Sequence, residues 1–464
     1  MRTRLFLRAG QADGVGMTSS HPYEIAVIGG GLAGCAAAVS AARSGRRTVL
    51  IERYGFLGGW ATAALVNPFM SHCTSDGKPL VGGVFDEIRK GLDEAGGLLE
   101  NSFDAEAMKS VLQELVLASG VKPRLHTCFE SARYAENGGI VVRTLGKGGL
   151  EEIECERLVD CSGDGDAAVA LGADFESGGE DAGPQAMTMM FDVGGVDLER
   201  ALQYVRDHPD QMRFPKLAPD ANPRELAEGV VSVAGYYDLV AEAREKDDYS
   251  VPGDMIFYVG RPRKGEVVFN TTHVGGVDAT KWEDLTRAEI EGRRQMMSVV
   301  AFVRKYVPGF EDAYLLRSPV HVGVRESRRI VGEYVFSADD VVGAAKFEDA
   351  ICRLAYPVDV HSGRGEGYLR GEEPTEQNGP KAGDWYEIPY RCLLPVGVEN
   401  VLVAGRCVSS TQAGHGAIRI MPCCAAKGQA AGTAAAVSIR SGKSPREIDV
   451  SALLNELRSQ RALV

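Results

Sequence analysis

Short apolar runs, each closed by a glycine-rich turn, punctuate this chain and predict the strands of an α/β fold. The first, Ile25-Ala26-Val27-Ile28, ends in Gly29-Gly30-Gly31-Leu32-Ala33-Gly34, and an alanine-rich amphipathic segment follows at once. That reads as strand, tight turn and helix opening. Thr48-Val49-Leu50-Ile51 reads as a second strand and ends in Glu52. Leu158-Val159-Asp160-Cys161 closes in Ser162-Gly163-Asp164-Gly165-Asp166, and the late run Val401-Leu402-Val403-Ala404 closes in Gly405-Arg406. Parallel strands buried on both faces read as near-continuous apolar runs, and their glycine loops belong at the ligand edge of the sheet.

The rest of the chain divides by the same patterning. Residues 103–119 predict a helix, with Ala107, Met108, Val111, Leu112, Leu115 and Val116 on its apolar face. Residues 121–134 and 139–145 predict strands joined by a turn at Asn137-Gly138-Gly139. After the hydrophobic strand 187–193 the character changes: charged helical segments at 224–246 and 286–306 accompany strand-like pieces such as 266–272. The Gly/Glu/Pro-rich stretch 363–384 predicts a long surface loop or lid. Residues 421–438 predict a closing helix. The expected organisation is a poorly ordered tail (1–21), a dinucleotide-binding domain in two parts (22–190 and 386–464, the second with the closing helix), and an inserted substrate or cap domain (191–385).

Length and charge set bounds on this picture. A chain of 464 residues is long enough for two or three domains, and a net charge of −13 argues against a nucleic-acid surface. No apolar run reaches the roughly 18–20 residues that span a bilayer. In the tail, Arg2, Arg4 and Arg8 surround Leu5-Phe6-Leu7, an apolar run too short for a signal peptide, and Met17 offers an alternative start. Ten cysteines occur without a Cys-x-x-Cys, so neither a thiolate metal site nor a redox dithiol of that type is expected. With no secretory signal, a reducing cytoplasmic setting is expected. Cys423-Cys424 reads as a helix start packed near a cofactor or, less favoured, as a reactive thiol.

The first glycine turn carries the most specific chemistry. Gly29 permits the tight turn, Gly31 lets the backbone approach a phosphate, and Gly34 lets the helix lie close to the strand. The free N–H groups at Leu32, Ala33 and Gly34 and the helix dipole favour a diphosphate. Glu52 lies 18 residues beyond Gly34, near the spacing at which a carboxylate accepts hydrogen bonds from the adenosine ribose. An acid there repels a 2′-phosphate, so NADP is a poor candidate for this site. Arg53 follows, and then Gly58-Gly59-Trp60-Ala61-Thr62. A second glycine pair suits the longer FAD, with Trp60, Ala61 and Thr62 beside its ribityl chain or isoalloxazine ring.

Taken together, these segments resemble the FAD-dependent oxidoreductase family related to the fumarate reductase and succinate dehydrogenase flavoproteins. The resemblance is carried by 29–34, 52–62, 159–166, 187–196, 323–332, 386–391 and 403–419 running into 428–432. It implies a Rossmann-like FAD-binding domain of the glutathione reductase type (a ββα variant), split by an inserted α+β substrate domain. It also implies that Cys128 or Phe129 offers backbone to the adenine, and that Ser162, Gly163 and Asp164 pass near the adenosine. Gly405 and Arg406 would face the pyrophosphate or ribityl chain. The helix starting at Met421-Pro422 would aim its positive end at the flavin's pyrimidine edge. Gly59-Trp60-Ala61-Thr62 lacks the histidine that anchors flavin covalently in succinate dehydrogenase-type proteins, so non-covalent FAD is expected; His72 and Cys73 read better as loop residues than as anchors.

Candidates for chemistry are fewer. His415 and Arg419 lie in the loop before the flavin-facing helix, where His415 either approaches the ring or is fixed by backbone. His361 precedes the long loop and is either a proton carrier or a packed side chain; His273 and His321 are weaker candidates. Arg325 either binds a substrate carboxylate or is ion-paired near the cofactor, and for Arg329 ion pairing is the better reading. Tyr390, with Arg391, marks either a substrate edge or hinge packing. The expected activity is oxidation or desaturation of a small-molecule metabolite by hydride transfer to the flavin, with electrons passed to O2 or an external acceptor. The alternatives are a flavin monooxygenase reduced by NAD(P)H and a protein that uses FAD structurally or in redox-neutral chemistry. No nucleic-acid or membrane partner is expected, and a homo-oligomer is allowed.

Overall fold

The computed structural model describes residues 23–179, 183–213, 232–367 and 378–464. The expected tail (1–21), the centre of the expected lid and the first part of the predicted 224–246 helix lie outside the described residues.

A five-stranded sheet positions the site. Its order is Val401–Val403, Arg157–Asp160, Ile25–Ile28, Thr48–Ile51 and Lys122–Arg124, with every pairing parallel. Ile25–Ile28 and Thr48–Ile51 are buried throughout, which accounts for their unbroken apolar runs. A strand from near the end of the chain thus completes a sheet begun at its start. Two helices pack together against it, Leu32–Arg43 and Met421–Ser441. Their close approach depends on Gly428 and Gly432, spaced to share one helix face. A Cβ at either would lie 2.0 Å from a carbonyl oxygen of the first helix, Ala33 O and Ala37 O respectively.

The predicted strand 121–134 proves to be two. Lys122–Arg124 joins the parallel sheet, and Cys128–Tyr134 belongs to a three-stranded antiparallel sheet with Ile140–Gly146 and Gly149–Cys155. The chain turns between them at His126, whose φ is +52° and whose N–H donates to Tyr54 O at 3.0 Å. The predicted turn at 137–139 is present, with Gly138 at φ +82°.

A second sheet is wholly antiparallel, in the order Ser232–Gly235, Ile256–Gly260, Val267–Phe269, Phe191–Gly194, Tyr314–Arg317. The helix Trp282–Tyr306 packs on it, and Phe191, Tyr258, Phe269, Phe302 and Phe310 form a separate core between them. Several contacts tie this region to the rest, among them Ser102 to Gly260 O, Arg261 to Phe103 O and Val320 N–H to Ala63 O. Thr188 bridges Gly323, and the pair Ala350–Leu354 with Tyr386–Pro389 brackets the segment that carries residues 356–361. Among the described residues, no helix is long and apolar enough to cross a membrane.

Candidate active site

The glycine turn is built as its chemistry requires. Gly29 has φ +94°, and a Cβ there would lie 2.5 Å from Cys161 O. At Gly34 a Cβ would lie 1.7 Å from Gly29 O, so the turn and the first helical turn share one space. Gly31 differs, because a Cβ there would meet nothing nearer than Gly59 Cα at 3.8 Å. The space beside Gly31 is therefore free for a ligand. The helix behind it has no side-chain cap and no acid in its first turn, so its leading N–H groups and dipole remain available to an anion.

The second glycine pair packs directly on the first. Gly58 N–H donates to Gly30 O at 2.8 Å, and a Cβ on Gly59 would lie 2.8 Å from Gly31 Cα. Glycine at 59 is thus required by the neighbouring turn, and glycine at 58 by its φ of +114° and by the Thr62 side chain, which a Cβ would meet at 2.5 Å, reasons separate from the room a cofactor needs. Glu52 underpins both. Its carboxylate accepts the Gly30 N–H at 2.6 Å and the Tyr54 N–H at 2.9 Å, and burial pushes its pKa up. Ala61 is buried, Thr62 donates to Leu57 O at 2.8 Å, and the Arg53 guanidinium lies 5.6 Å from the Trp60 ring centroid.

The third strand ends in a tied loop. Buried Asp160 accepts N–H groups from Ser162, Ala167 and Ala168, at 3.0, 2.8 and 2.9 Å. Gly163 takes φ +83°. Asp164 binds Arg406 and the Ser327 hydroxyl, each at 2.6 Å. Burial alone would raise the Asp164 pKa, but the Arg406 charge and these hydrogen bonds outweigh it and hold the carboxyl below its ordinary value. The Arg406 guanidinium is therefore paired with Asp164 and Ser327 through Nη2 and Nη1. Cys128 is exposed on its strand, and half-buried Phe129 packs toward the core. The helix at Met421, with Pro422 in its first turn, again has no side-chain cap and no first-turn acid. Fully buried Lys427 donates to Gly405 O and Ile418 O, both at 2.9 Å, and so ties the last glycine turn to the loop before that helix.

Where these segments converge, three of the candidate residues come together around one that the sequence reading passed over. Asp359 Oδ1 lies 3.4 Å from His361 Nε2, and its Oδ2 lies 3.1 Å from Arg419 Nη2. Tyr356 donates to Oδ2 at 3.0 Å. Against burial, the His361 contact and the charges of Arg419 and Arg325 hold the Asp359 carboxyl far below the carboxylate range. His361 is pushed down to about 4 by burial and by the Arg325 charge, with Asp359 opposing. At neutral pH it is an uncharged imidazole; the Asp359 contact favours the tautomer with Nε2–H, which leaves Nδ1 as the basic nitrogen. Arg325 donates to Ala186 O at 2.6 Å, and the His273 ring centroid lies 5.9 Å from that of His361. Burial, then the Arg325 and His361 neighbours, keep His273 neutral as well. Trp60 Nε1–H donates to Val324 O at 3.1 Å, so the second glycine segment touches the loop that carries Arg325.

Other candidates lie apart from this cluster. The Tyr390 hydroxyl is buried and donates to Pro445 O at 2.8 Å, which takes it out of the site; its ring is drawn inward by the strand that ends at Pro389. Arg391 pairs with Asp349 on the surface. Arg329 is ion-paired with buried Glu326, and His321 stacks on Trp60 with centroids 4.8 Å apart. His415 is buried and neutral, its Nε2 3.1 Å from Arg406 O and its Nδ1 without a partner. Asp359 did have a sequence signal: in Asp359-Val360-His361 an extended backbone points residues two apart to one face. Among the described residues, no group of three or more His, Cys, Asp or Glu side chains is placed to hold a metal.

An open glycine turn feeding an uncapped helix at the edge of a parallel sheet is the arrangement of a dinucleotide-binding protein. A family model described as FAD dependent oxidoreductase matches residues 24–457, and the chain belongs to that family. Its cofactor is FAD. The fold is also similar to solved structures at low identity. p-Nitrophenol 4-monooxygenase PnpA from Pseudomonas putida DLL-E4 is 12% identical, with 91% of this chain and 81% of that chain covered and a TM-score of 0.42. A geranylgeranyl bacteriochlorophyll reductase-like protein from Thermoplasma acidophilum is 11% identical, with 94% and 83% covered and a TM-score of 0.45. OxyS anhydrotetracycline hydroxylase from Streptomyces rimosus is 15% identical, with 94% and 68% covered and a TM-score of 0.39. No curated protein sequence matches the chain.

Proposed function

We propose that this FAD-dependent oxidoreductase oxidises or desaturates a small-molecule metabolite at the Asp359–His361–Arg325–Arg419 cluster, and that electrons leave to O2 or an external acceptor. The observation that carries this reading is the partly buried Asp359–His361 pair, at 3.4 Å, set between two arginines where the cofactor segments converge. FAD, when bound, supplies the two-electron acceptor. His361 Nδ1 takes the substrate proton, because a neutral imidazole whose tautomer is held by a carboxylate is a competent base at neutral pH. Arg325 and Arg419 orient the substrate, and Asp359 holds both His361 and Arg419 in place.

The cofactor frame follows the same proposal. Gly29, Gly31 and Gly34 with Leu32 and Ala33 bind the diphosphate, Glu52 the ribose, and Cys128 or Phe129 the adenine edge. Ser162, Gly163, Asp164, Gly405 and Arg406 line the cofactor channel from behind, with Asp164 and Arg406 acting as a pair. Residues 22–190 and 386–464 then form one split Rossmann-like domain of the glutathione reductase type, and 191–385 the inserted substrate domain. The relation to fumarate reductase and succinate dehydrogenase flavoproteins, non-covalent attachment and a cytoplasmic setting belong to this proposal too.

Anaerobic incubation of the FAD-loaded protein with metabolite pools tests it. Bleaching of the flavin by a metabolite alone, with a product two hydrogens poorer, is the expected result. Bleaching only by NAD(P)H, with label from 18O2 in the product, overturns it in favour of a monooxygenase.

A further inference from the structure

Cys423 and Lys427 stand one turn apart on the closing helix, share one of its faces, and are fully buried. The Lys427 ammonium donates to Gly405 O and Ile418 O, which leaves one N–H and a buried positive charge to be met. The Cys423 thiol meets them: it is hydrogen-bonded to Lys427 and to the thiol of Cys352. Cys352 comes from the strand Ala350–Leu354 and is fully buried in the same core.

The three side chains bias one another in a single direction. Burial would raise the Cys423 thiol, but the Cys352 hydrogen bond and the Lys427 charge outweigh it and bring the thiol below its ordinary value. The same hydrogen bond, with burial behind it, pushes Cys352 up, so Cys352 is the donor of the two. Burial opposes the Lys427 charge, and the surrounding cysteines, Cys423 first, restore it. A thiolate beside this ammonium avoids an unpaired buried charge, and the first turn of a helix favours a thiolate further. Cys424 differs: its thiol donates to Arg419 O at 3.3 Å, and burial pushes it up to about 11.

We propose that Cys352 and Cys423 form a peroxide-reactive thiol pair, with Cys423 as the attacking sulfur, Cys352 as the resolving sulfur and Lys427 as the proton donor. Hydrogen peroxide is small and uncharged, the kind of oxidant that can reach buried sulfurs. The Cys423 thiolate attacks it, the O–O bond breaks, and Cys423 becomes a sulfenic acid. The hydroxide released takes a proton from Lys427 and leaves as water. Cys352 then attacks the sulfenic sulfur, and its proton departs with the sulfenic hydroxyl as a second water. The two sulfurs give up two electrons and the peroxide gains them. Lys427 ends as a neutral amine, whose two N–H groups still serve Gly405 O and Ile418 O. The disulfide joins the strand that leads into the 356–361 segment to the first turn of the closing helix. Peroxide is what O2 becomes when it takes two electrons from a reduced flavin, so its supply inside the protein rests on the oxygen branch of the reading under Proposed function.

The test adds hydrogen peroxide to the FAD-loaded protein in the dark without substrate, then alkylates, digests with trypsin and reads the peptides by mass spectrometry. Cleavage after Lys346, Arg353, Arg419 and Lys427 places the two sulfurs in separate peptides, 347–353 and 420–427. The expected result is a Cys352–Cys423 link, reversed by dithiothreitol, that forms at least tenfold faster than exposed Cys128 is oxidised. Cys352→Ser should instead accumulate a Cys423 sulfenic acid that dimedone traps, and Lys427→Met should slow the link tenfold or more. A link through Cys424, prior oxidation of Cys128, a link that forms only in denaturant, or no dimedone adduct in Cys352→Ser overturns the inference. An unchanged rate in Lys427→Met overturns the part given to Lys427, and the Cys352→Ser arm decides whether or not Lys427→Met folds. Failure of the redox reading looks different: added peroxide forms the link, and no metabolite bleaches the flavin.

Discussion

Asp359 Oδ2 sits 3.1 Å from Arg419 Nη2, and the same carboxylate meets His361 Nε2 through Oδ1 at 3.4 Å. One side chain thus ties the proposed base to Arg419, two residues before the closing helix. Asp359→Asn keeps the shape and removes the charge that balances Arg419. Its expected cost is about 2 kcal/mol of stability, less than the 3–5 kcal/mol for fully buried pairs because both partners are partly exposed. Denaturant unfolding of the holoprotein measures it, and an unchanged midpoint and slope would remove Asp359 from its bridging role.

His361 sets a pH dependence. Its pKa is held at about 4 in the folded protein, against about 6.5 unfolded. Between those values the unfolded chain binds a proton that the folded chain does not, so stability falls as pH drops through this window and is complete above it. The full effect is on the order of 3 kcal/mol. His273 and His415 are also held neutral and add slopes of the same sign. The diagnostic is therefore the difference between wild type and His361→Asn: the variant should lose less stability between about pH 6.5 and 4. Matching slopes would mean that His361 titrates normally.

The glycine contacts between the two long helices predict a sign that helix propensity alone gets wrong. Gly→Ala in a helix interior gains about 1 kcal/mol of propensity. At Gly432 the new Cβ would lie 2.0 Å from Ala37 O, and a backbone atom cannot rotate out of the way. Overpacking of this kind costs about 1–3 kcal/mol or more, so Gly432→Ala should destabilise. It should also lower the flavin-to-protein ratio, because the helix it displaces begins at Met421 beside the proposed cofactor channel. A melting temperature at or above wild type would show that the helices can separate without loss.

Local chemistry was legible in the sequence, and convergence was not. The Gly29–Gly34 turn declares itself because strand, turn and helix are contiguous, and the apolar run at Val401–Val403 likewise declares a buried strand. Arg325, His361 and Arg419 were each candidates, but nothing along the chain says that His361 and Arg419 share one carboxylate within reach of the Arg325 charge. Asp359 was hidden by the His361 beside it. Tyr390 misled because a tyrosine at a chain return suits either a substrate edge or a packed hinge, and only tertiary contacts choose between them; here Pro445 O supplied the partner. Arg406 misled in a similar way. A guanidinium after a glycine turn suggests a phosphate, but Asp164 reaches it from a loop more than two hundred residues away.

That pairing gives the last prediction. Arg406 and Asp164 are 2.6 Å apart, their side chains only 9% and 16% exposed, and Ser327 joins both. Removing one partner of such a pair leaves the other charged and largely without water, which costs about 3–5 kcal/mol. Removing both with neutral, similarly shaped groups avoids that penalty. Arg406→Met should therefore destabilise the protein by about 3 kcal/mol, and Asp164→Asn combined with Arg406→Met should recover most of the loss. The variants separate two roles for Arg406. If it serves Asp164, flavin affinity in the double variant returns close to wild type along with stability. If it serves a phosphate directly, stability returns and flavin affinity does not. Unfolding midpoints and FAD dissociation constants for the two variants and wild type decide between these outcomes, and the paired geometry of the Arg406 guanidinium favours the first.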